Sequence, residues 1–258
     1  MLINLRKICS DYGVGHTGVL HIGAHTGEER ESYRACGFTK VVWVEANREL
    51  AEALERAIAA TPDWFESEVV LHCAIFDVDG ENRDFYVTNN RQSSSLLELG
   101  EHRKIHPEID VVQTLTVQTR RIDRLFAGTP ALAHGLAFAN LDIQGVELPA
   151  LRSFGEFLGQ FRWVYTEVNR AEVYKTNALI WEMDRWLLQH RFVRCETVFT
   201  PANWGDALYV KRERMSGLEH GWRIGQSYLT ECAWRLTAPS YAALKRVLRR
   251  AVGPRAAK

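Results

Sequence analysis

Two runs in this 258-residue chain combine glycines with carboxylates at spacings that could do chemistry. The first is His21-Ile22-Gly23-Ala24-His25-Thr26-Gly27, with Glu45 following 18 residues after Gly27. A glycine-rich turn between strand and helix lets a ligand approach the backbone and meet helix N–H groups. An acidic side chain at the end of the next strand can accept hydrogen bonds from both hydroxyls of a ribose. The spacing is G-x-x-x-G rather than the G-x-G-x-x-G of dinucleotide sites, and no Gly-Lys-Ser/Thr of a P-loop follows. In that order and spacing the residues read as a nucleoside site. Taken singly, the glycines fit an ordinary turn and Glu45 a solvated strand end.

The second run is Asn140-Leu141-Asp142-Ile143-Gln144-Gly145-Val146-Glu147, followed by Val164-Tyr165-Thr166-Glu167-Val168-Asn169. Asp142 and Glu167 each close an apolar stretch, at the face where α/β sheets bind ligands. Capping competes with function on equal terms at Asp142, since a strand-end aspartate before a helix does that job routinely. Glu147 reads as a stabiliser of the helix start, and Glu167 could pair with Arg170.

These positions need strands that all end at one face. Residues 19–22, 41–44 and 69–71 are short apolar runs, the second β-branched and continuous, as suits a strand buried on both faces. Helices are expected over 28–36, stopped by Gly37, and over 48–60, with Pro62 just beyond. Two consecutive βαβ units with right-handed crossovers predict a doubly wound, parallel α/β sheet. Asp79-Gly80 predicts a hairpin turn between 74–78 and 83–88. Further strands are expected over 111–117, 136–142 and 162–168, and helices from 146 and over 178–189. A closing antiparallel pair, 192–199 with 207–211, gives the sheet an antiparallel edge.

Apolar residues make up 46% and charged residues 25%, which excludes global disorder. The five cysteines, Cys9, Cys36, Cys73, Cys195 and Cys232, form no C-x-x-C pair and are odd in number. Reduced thiols fit better than a zinc ribbon or a disulfide framework. No run of 18 apolar residues is present and no signal-like segment opens the chain, so a cytoplasmic protein is expected.

Lysine plus arginine and aspartate plus glutamate both total 32, which excludes a uniformly basic protein; no nucleic-acid partner is expected. The zero is a cancellation. Residues 211–258 hold 11 of the basic and 3 of the acidic groups, leaving residues 1–210 at a net −8. One domain over 1–210 and a basic, partly helical extension over 211–258 follow. In 241–252, Leu244, Val247, Leu248, Ala251 and Val252 share a helical face, with Lys245, Arg246, Arg249 and Arg250 over much of the rest. Such a helix could rest peripherally on the inner membrane surface. Packing on its own domain or on a second subunit carries more weight, since the helix is short and has few large apolar residues.

The chain resembles the FkbM-type family of S-adenosylmethionine-dependent methyltransferases from about Val19 to Lys211. The resemblance rests on an ordered set of motifs: the glycine turn of 21–27, Val44-Glu45-Ala46-Asn47, Ser93-Ser94-Ser95-Leu96, Thr119-Arg120-Arg121-Ile122-Asp123-Arg124-Leu125, and Asp142-Ile143-Gln144-Gly145-Val146-Glu147. The departures are His21 and His25, where an acidic residue or asparagine is usual, and Gln144, where glutamate is common. The resemblance implies a Rossmann-like methyltransferase sheet with S-adenosyl-L-methionine as cofactor. It implies O-methylation of a hydroxyl on a sugar, a glycan or a secondary metabolite. The other readings are methyl transfer to a protein or nitrogen acceptor, and a non-catalytic module of a glycan-assembly complex; the retained Gly23, Gly27 and Glu45 speak against the last.

Under this reading the cofactor-facing residues are Gly23, Ala24, His25 and Gly27 in the turn, Glu45 and Ala46 at the second strand end, and Ala74 and Ile75 beyond the third. Attack by oxygen on a sulfonium methyl is an in-line displacement, and the hydroxyl proton needs a base within hydrogen-bond reach. Asp142 and Glu167 are the catalytic candidates, as base, as hydroxyl-orienting acceptors, or as ligands of a divalent cation. His25 reads as a loop residue near the cofactor. Acceptor recognition is expected in the polar loops 91–95 and 101–107. Asn203-Trp204-Gly205-Asp206 suits a sugar ring, or a tight turn with a packing tryptophan.

Overall fold

The computed structural model describes residues 1–214, 219, 221–227 and 229. Met1–Arg214 form one unit and Met215–Lys258 a second. In the second, residues 221–227 are helical. The basic helix expected over 241–252 lies outside the described residues. Among the described residues no helix is long and apolar enough to cross a membrane.

The first unit runs α1 (Leu5–Tyr12), β1 (Gly18–Ile22), α2 (Arg30–Ala35), β2 (Lys40–Glu45), α3 (Arg48–Ala60), β3 (Ser67–His72), β4 (Ala74–Ile75), β5 (Asn82–Thr88), α4 (His102–Ile105), β6 (Val111–Arg120), α5 (Ile122–Gly128), α6 (Pro130–Ala133), β7 (Leu136–Leu141), α7 (Glu147–Arg152), β8 (Trp163–Asn169), α8 (Ile180–Gln189), β9 (Phe192–Phe199) and β10 (Trp204–Lys211).

Seven strands form the main sheet in the order β3-β2-β1-β7-β8-β10-β9. The first five are parallel, and β10 runs antiparallel to both β8 and β9. The antiparallel pair thus closes one end of the sheet, with β10 inserted inside and β9 outermost. The central strands β1, β7 and β8 are buried at every residue, which continuous apolar runs permit and alternating ones do not. The helix α3 starts where Asn47 Oδ1 accepts from Glu49 N at 3.0 Å, and it buries Leu50, Ala51 and Leu54 against the sheet. Helix α8 buries Ile180, Met183 and Leu187, which a 3.6-residue period brings to one face.

The hairpin expected about Asp79-Gly80 is not the one formed. β5 pairs antiparallel with β6, and β4 pairs parallel with the other side of β6, in a separate three-stranded sheet. Asp79 instead accepts from Arg121 N at 2.8 Å, and Gly80 N donates to the Thr119 carbonyl at 2.7 Å. The turn therefore ties the start of β5 to the end of β6. Phe76, Phe85, Val87 and Leu96 fill the space under this small sheet together with Val146.

Strand order reverses between β1 and β7. Their carboxyl ends carry Gly23 and Asp142, so the two sequence runs meet at the topological switch point where open α/β sheets bind ligands.

Candidate active site

The glycine turn is shaped by its neighbours. Gly23 has φ 88°, and a Cβ there would lie 1.9 Å from the Asp142 carbonyl oxygen. Gly23 N and Ala24 N both donate to the Val44 carbonyl, at 2.9 and 3.1 Å. His25 takes the left-handed conformation at φ 49°. That conformation aims its N–H at Glu45 Oε2, 2.8 Å away, while Asn47 N donates to Oε1 at 2.7 Å. Glu45 is thereby buried and locked, and each oxygen keeps a second acceptor direction. Burial pushes its carboxyl above the usual range, against the pull of those two N–H groups. The His25 ring lies 2.6 Å from Glu28 Oε1, which raises the imidazole and holds Glu28 down at about 2.

Beyond the turn opens a cavity of about 600 Å³. Gly23, His25, Glu45, Ala46, Ala74 and Ile75 line it. Ala24 and Gly27 are not among the lining residues. Ala24 is buried behind the turn, and Gly27, at φ 76°, leaves room for Leu54, whose Cδ1 a Cβ would meet at 2.5 Å.

Asp142 and Glu167 line the same cavity. Asp142 does not cap the following helix: the cap position of α7 is Val146, with no side-chain bond. Glu147 does the local work instead, its carboxylate accepting from Ile143 N at 3.2 Å and Gly145 N at 3.0 Å. Burial lifts Glu147 to about 7. The Asp142 side chain is exposed to the cavity, and Gln144 Nε2 donates to it at 2.6 Å. The surrounding protein and nearby Asp206 push it above the ordinary aspartate range. Glu167 is buried on β8, accepting from Gln144 Nε2 at 3.0 Å and Asn169 Nδ2 at 3.2 Å. Burial, with Glu147 and Asp142 close by, drives it well above the usual carboxylate range.

Both loops expected to recognise the acceptor reach the cavity, through Arg91, Gln92, Ser93 and Ser94 and through His102 and His106. Trp204 and Asp206 line it as well, and Tyr165 donates its hydroxyl to Asp206. Tyr174 was not marked by any motif. It belongs to the irregular stretch after β8, and only its apolar neighbour Val173 hints that the segment turns inward. Among the described residues no three His, Cys, Asp or Glu side chains are grouped to hold a metal ion.

Residues 21–194 match the family model described as the methyltransferase FkbM domain, well over half of the chain. The chain belongs to the FkbM methyltransferase domain family. With membership goes the S-adenosylmethionine-dependent methyl transfer that the motif set implied. No curated protein sequence matches this methyltransferase. Among solved structures it is similar to TrmK of M. capricolum in complex with S-adenosyl-homocysteine, at 7% identity and TM-score 0.49, over 99% of this chain and 90% of that one. It is similar to magnesium protoporphyrin IX methyltransferase of Synechocystis PCC 6803 with bound SAM, at 8% identity and TM-score 0.46, over 79% and 74%. It is similar to Sp1610 of Streptococcus pneumoniae, a putative tRNA (m1A22) methyltransferase, at 11% identity and TM-score 0.47, over 100% and 91%.

The residues of this methyltransferase fit the donor. The lack of a Cβ on Gly23 lets the turn pack against the Asp142 carbonyl at the mouth of the cavity, and Glu45 presents free lone pairs for a ribose. Glu45→Ala is expected to weaken S-adenosylmethionine binding at least about tenfold in calorimetry, the equivalent of one charge-assisted hydrogen bond or more. Unchanged affinity would remove the ribose role.

Proposed function

We propose that this methyltransferase moves a methyl group from S-adenosylmethionine to a hydroxyl of an uncharged, polyhydroxylated acceptor, a sugar, glycan or secondary metabolite. The observation that carries the reading is the charge of the cavity. Glu28, Glu29, Glu45, Glu108, Asp142 and Asp206 line it together with Glu167, which burial keeps protonated, against Arg91, the Met1 amine and the His25 imidazole raised beside Glu28. Such a lining attracts a sulfonium cation and repels phosphates, which speaks for a neutral acceptor and against a nucleic acid.

The bound donor supplies an electrophilic methyl group on positively charged sulfur. Everything else falls to the chain. Glu45 and the glycine turn hold the nucleoside end. Asp142, facing the cavity, accepts the proton of the acceptor hydroxyl as the new carbon–oxygen bond forms and the carbon–sulfur bond breaks. A raised pKa suits it to that task, because a carboxylate closer to neutrality is the stronger base. The Trp204 ring and the histidines of α4 and the loop after it supply apolar and hydrogen-bonding surface for a sugar ring.

The test is a panel of acceptors with radiolabelled S-adenosylmethionine: neutral glycosides, primary amines, a peptide, and phosphorylated sugars matched to the glycosides. Label should enter the neutral glycosides and should be lost on phosphorylation of the same sugar. Preferential labelling of the amines or the peptide would overturn the hydroxyl reading in favour of a nitrogen or protein acceptor.

A further inference from the structure

Gln144 stands at the junction of the two acceptor-side carboxylates. Its Nε2 donates to Asp142 Oδ1 at 2.6 Å and to Glu167 Oε2 at 3.0 Å. Its Oε1 accepts from the buried Tyr174 hydroxyl at 2.5 Å, and its carbonyl accepts from Ser95 Oγ at 2.7 Å. Gln144 does this from a left-handed backbone at φ 58°, which is unfavourable for an L side chain with a long stem. Such a conformation persists where the surroundings over-determine it, as four hydrogen bonds do here. The next residue closes the turn: a Cβ on Gly145 would lie 3.0 Å from Tyr174 Cβ.

A carboxamide is the side chain that fits this junction. It has two N–H groups for two carboxylates and one carbonyl for the tyrosine. A glutamate, common at this place in the family motif, would set a third carboxylate against the other two and lose both donors. We propose that Gln144 is a positioning residue for methyl transfer, its carboxamide clamping Asp142 and Glu167 in the lining of the cavity while Tyr174 fixes the carboxamide. This rests on Asp142 serving as the proton acceptor.

The groups around Asp142 show what the clamp must counter. Asp206 of β10 brings negative charge near it, and two acids raised by burial, Glu147 of α7 and Glu167 of β8, lie close by. Tyr33 of α2, Tyr165 of β8 and Tyr174 lie within its electrostatic reach, all held neutral by burial. His21 of β1 is buried and lowered to about 4, so it is uncharged at neutral pH. The Gln144 hydrogen bond, at 2.6 Å, and the Met1 amine favour ionised Asp142.

The experiment is a pH titration of the full-length protein labelled with carboxyl-13C aspartate, read by NMR. The Asp142 signal is identified by its loss in Asp142→Asn. Gln144→Glu adds a like charge and Gln144→Gly removes the donor, so both should raise the Asp142 midpoint by about one pH unit or more. Gln144→Gly suits the left-handed backbone, so it tests the clamp even if the glutamate variant fails to fold. A midpoint within about 0.3 unit of the wild type in Gln144→Gly, with near-UV circular dichroism unchanged, would overturn the clamp whatever Asp142 does in catalysis. Undiminished methyl transfer by Asp142→Asn would instead overturn the base, with the shifted titration still standing as evidence of the clamp.

Discussion

Asp142→Asn is expected to lower methyl transfer to a hydroxyl acceptor by at least about a hundredfold, the low end of what a general base contributes. Affinity for S-adenosylmethionine should stay within about twofold, because the ribose is held at Glu45 and the 21–27 turn is untouched. The fold should survive, since Asp142 caps no helix and an asparagine oxygen can still accept from Gln144. The pH profile adds a second readout. Asp142 is raised by the protein packed around the cavity and by Asp206, so the wild-type rate should climb with pH through a midpoint above the ordinary 3.8 of aspartate. That acidic limb should vanish in the variant. Glu167→Gln should behave differently. Burial keeps Glu167 protonated well above the usual carboxylate range. Asn169 Oδ1, buried and without a partner as placed, can accept that proton if the amide turns over. Glutamine mimics the protonated acid, so turnover should stay within about tenfold of the wild type. Equal losses in the two variants, by steady-state kinetics, would mean that the carboxylates act as one unit and not as base and neutral partner.

Gly23→Ala is expected to destabilise the first unit by about 2–4 kcal/mol and to abolish measurable donor binding. The added methyl would stand 1.9 Å from the Asp142 carbonyl oxygen and 2.7 Å from its carbon, with φ at 88°. These are backbone atoms of the neighbouring strand end, so relief requires β1 and β7 to part at their carboxyl ends. A thermal midpoint lower by roughly 5–15 °C should accompany the change. Gly80→Ala is the control. Gly80 also has positive φ, at 76°, but nothing lies within 4 Å of its added Cβ. It should cost only about 1 kcal/mol. If both variants lose the same stability, backbone conformation alone explains the glycine and the close packing against Asp142 has no part.

The elements that place Glu45 could be read from short stretches of chain. The run Val41-Val42-Trp43-Val44 needs burial on both faces, and Asn47 supplies the cap that starts the next helix, so strand, carboxylate and helix follow within a dozen residues. The strand β9 was equally legible from its own apolar and β-branched content. The hairpin failed because turn chemistry at Asp79-Gly80 says where a chain reverses but not which later strand it meets. β5 finds β6 only after the polar stretch that contains Ser93–Ser95 and α4, and the choice is made by the apolar residues packed beneath the small sheet.

The sequence by itself determined the doubly wound core, the glycine turn, the acidic strand end and the two carboxylates near the carboxyl ends of β7 and β8. Each depends on local periodicity, on backbone freedom at a few glycines, or on a side chain at a strand end. Only the tertiary structure decided what those carboxylates are. It assigned the loop-capping role to Glu147, left Asp142 facing the cavity, buried Glu167, and brought Tyr174 and Gln144 to the junction between them. The reason is physical: a carboxyl group's charge is set by how much water and which neighbours surround it. Here those neighbours come from β1, β8, β10 and the loop after β8, parts of the chain with no sequence relation to one another.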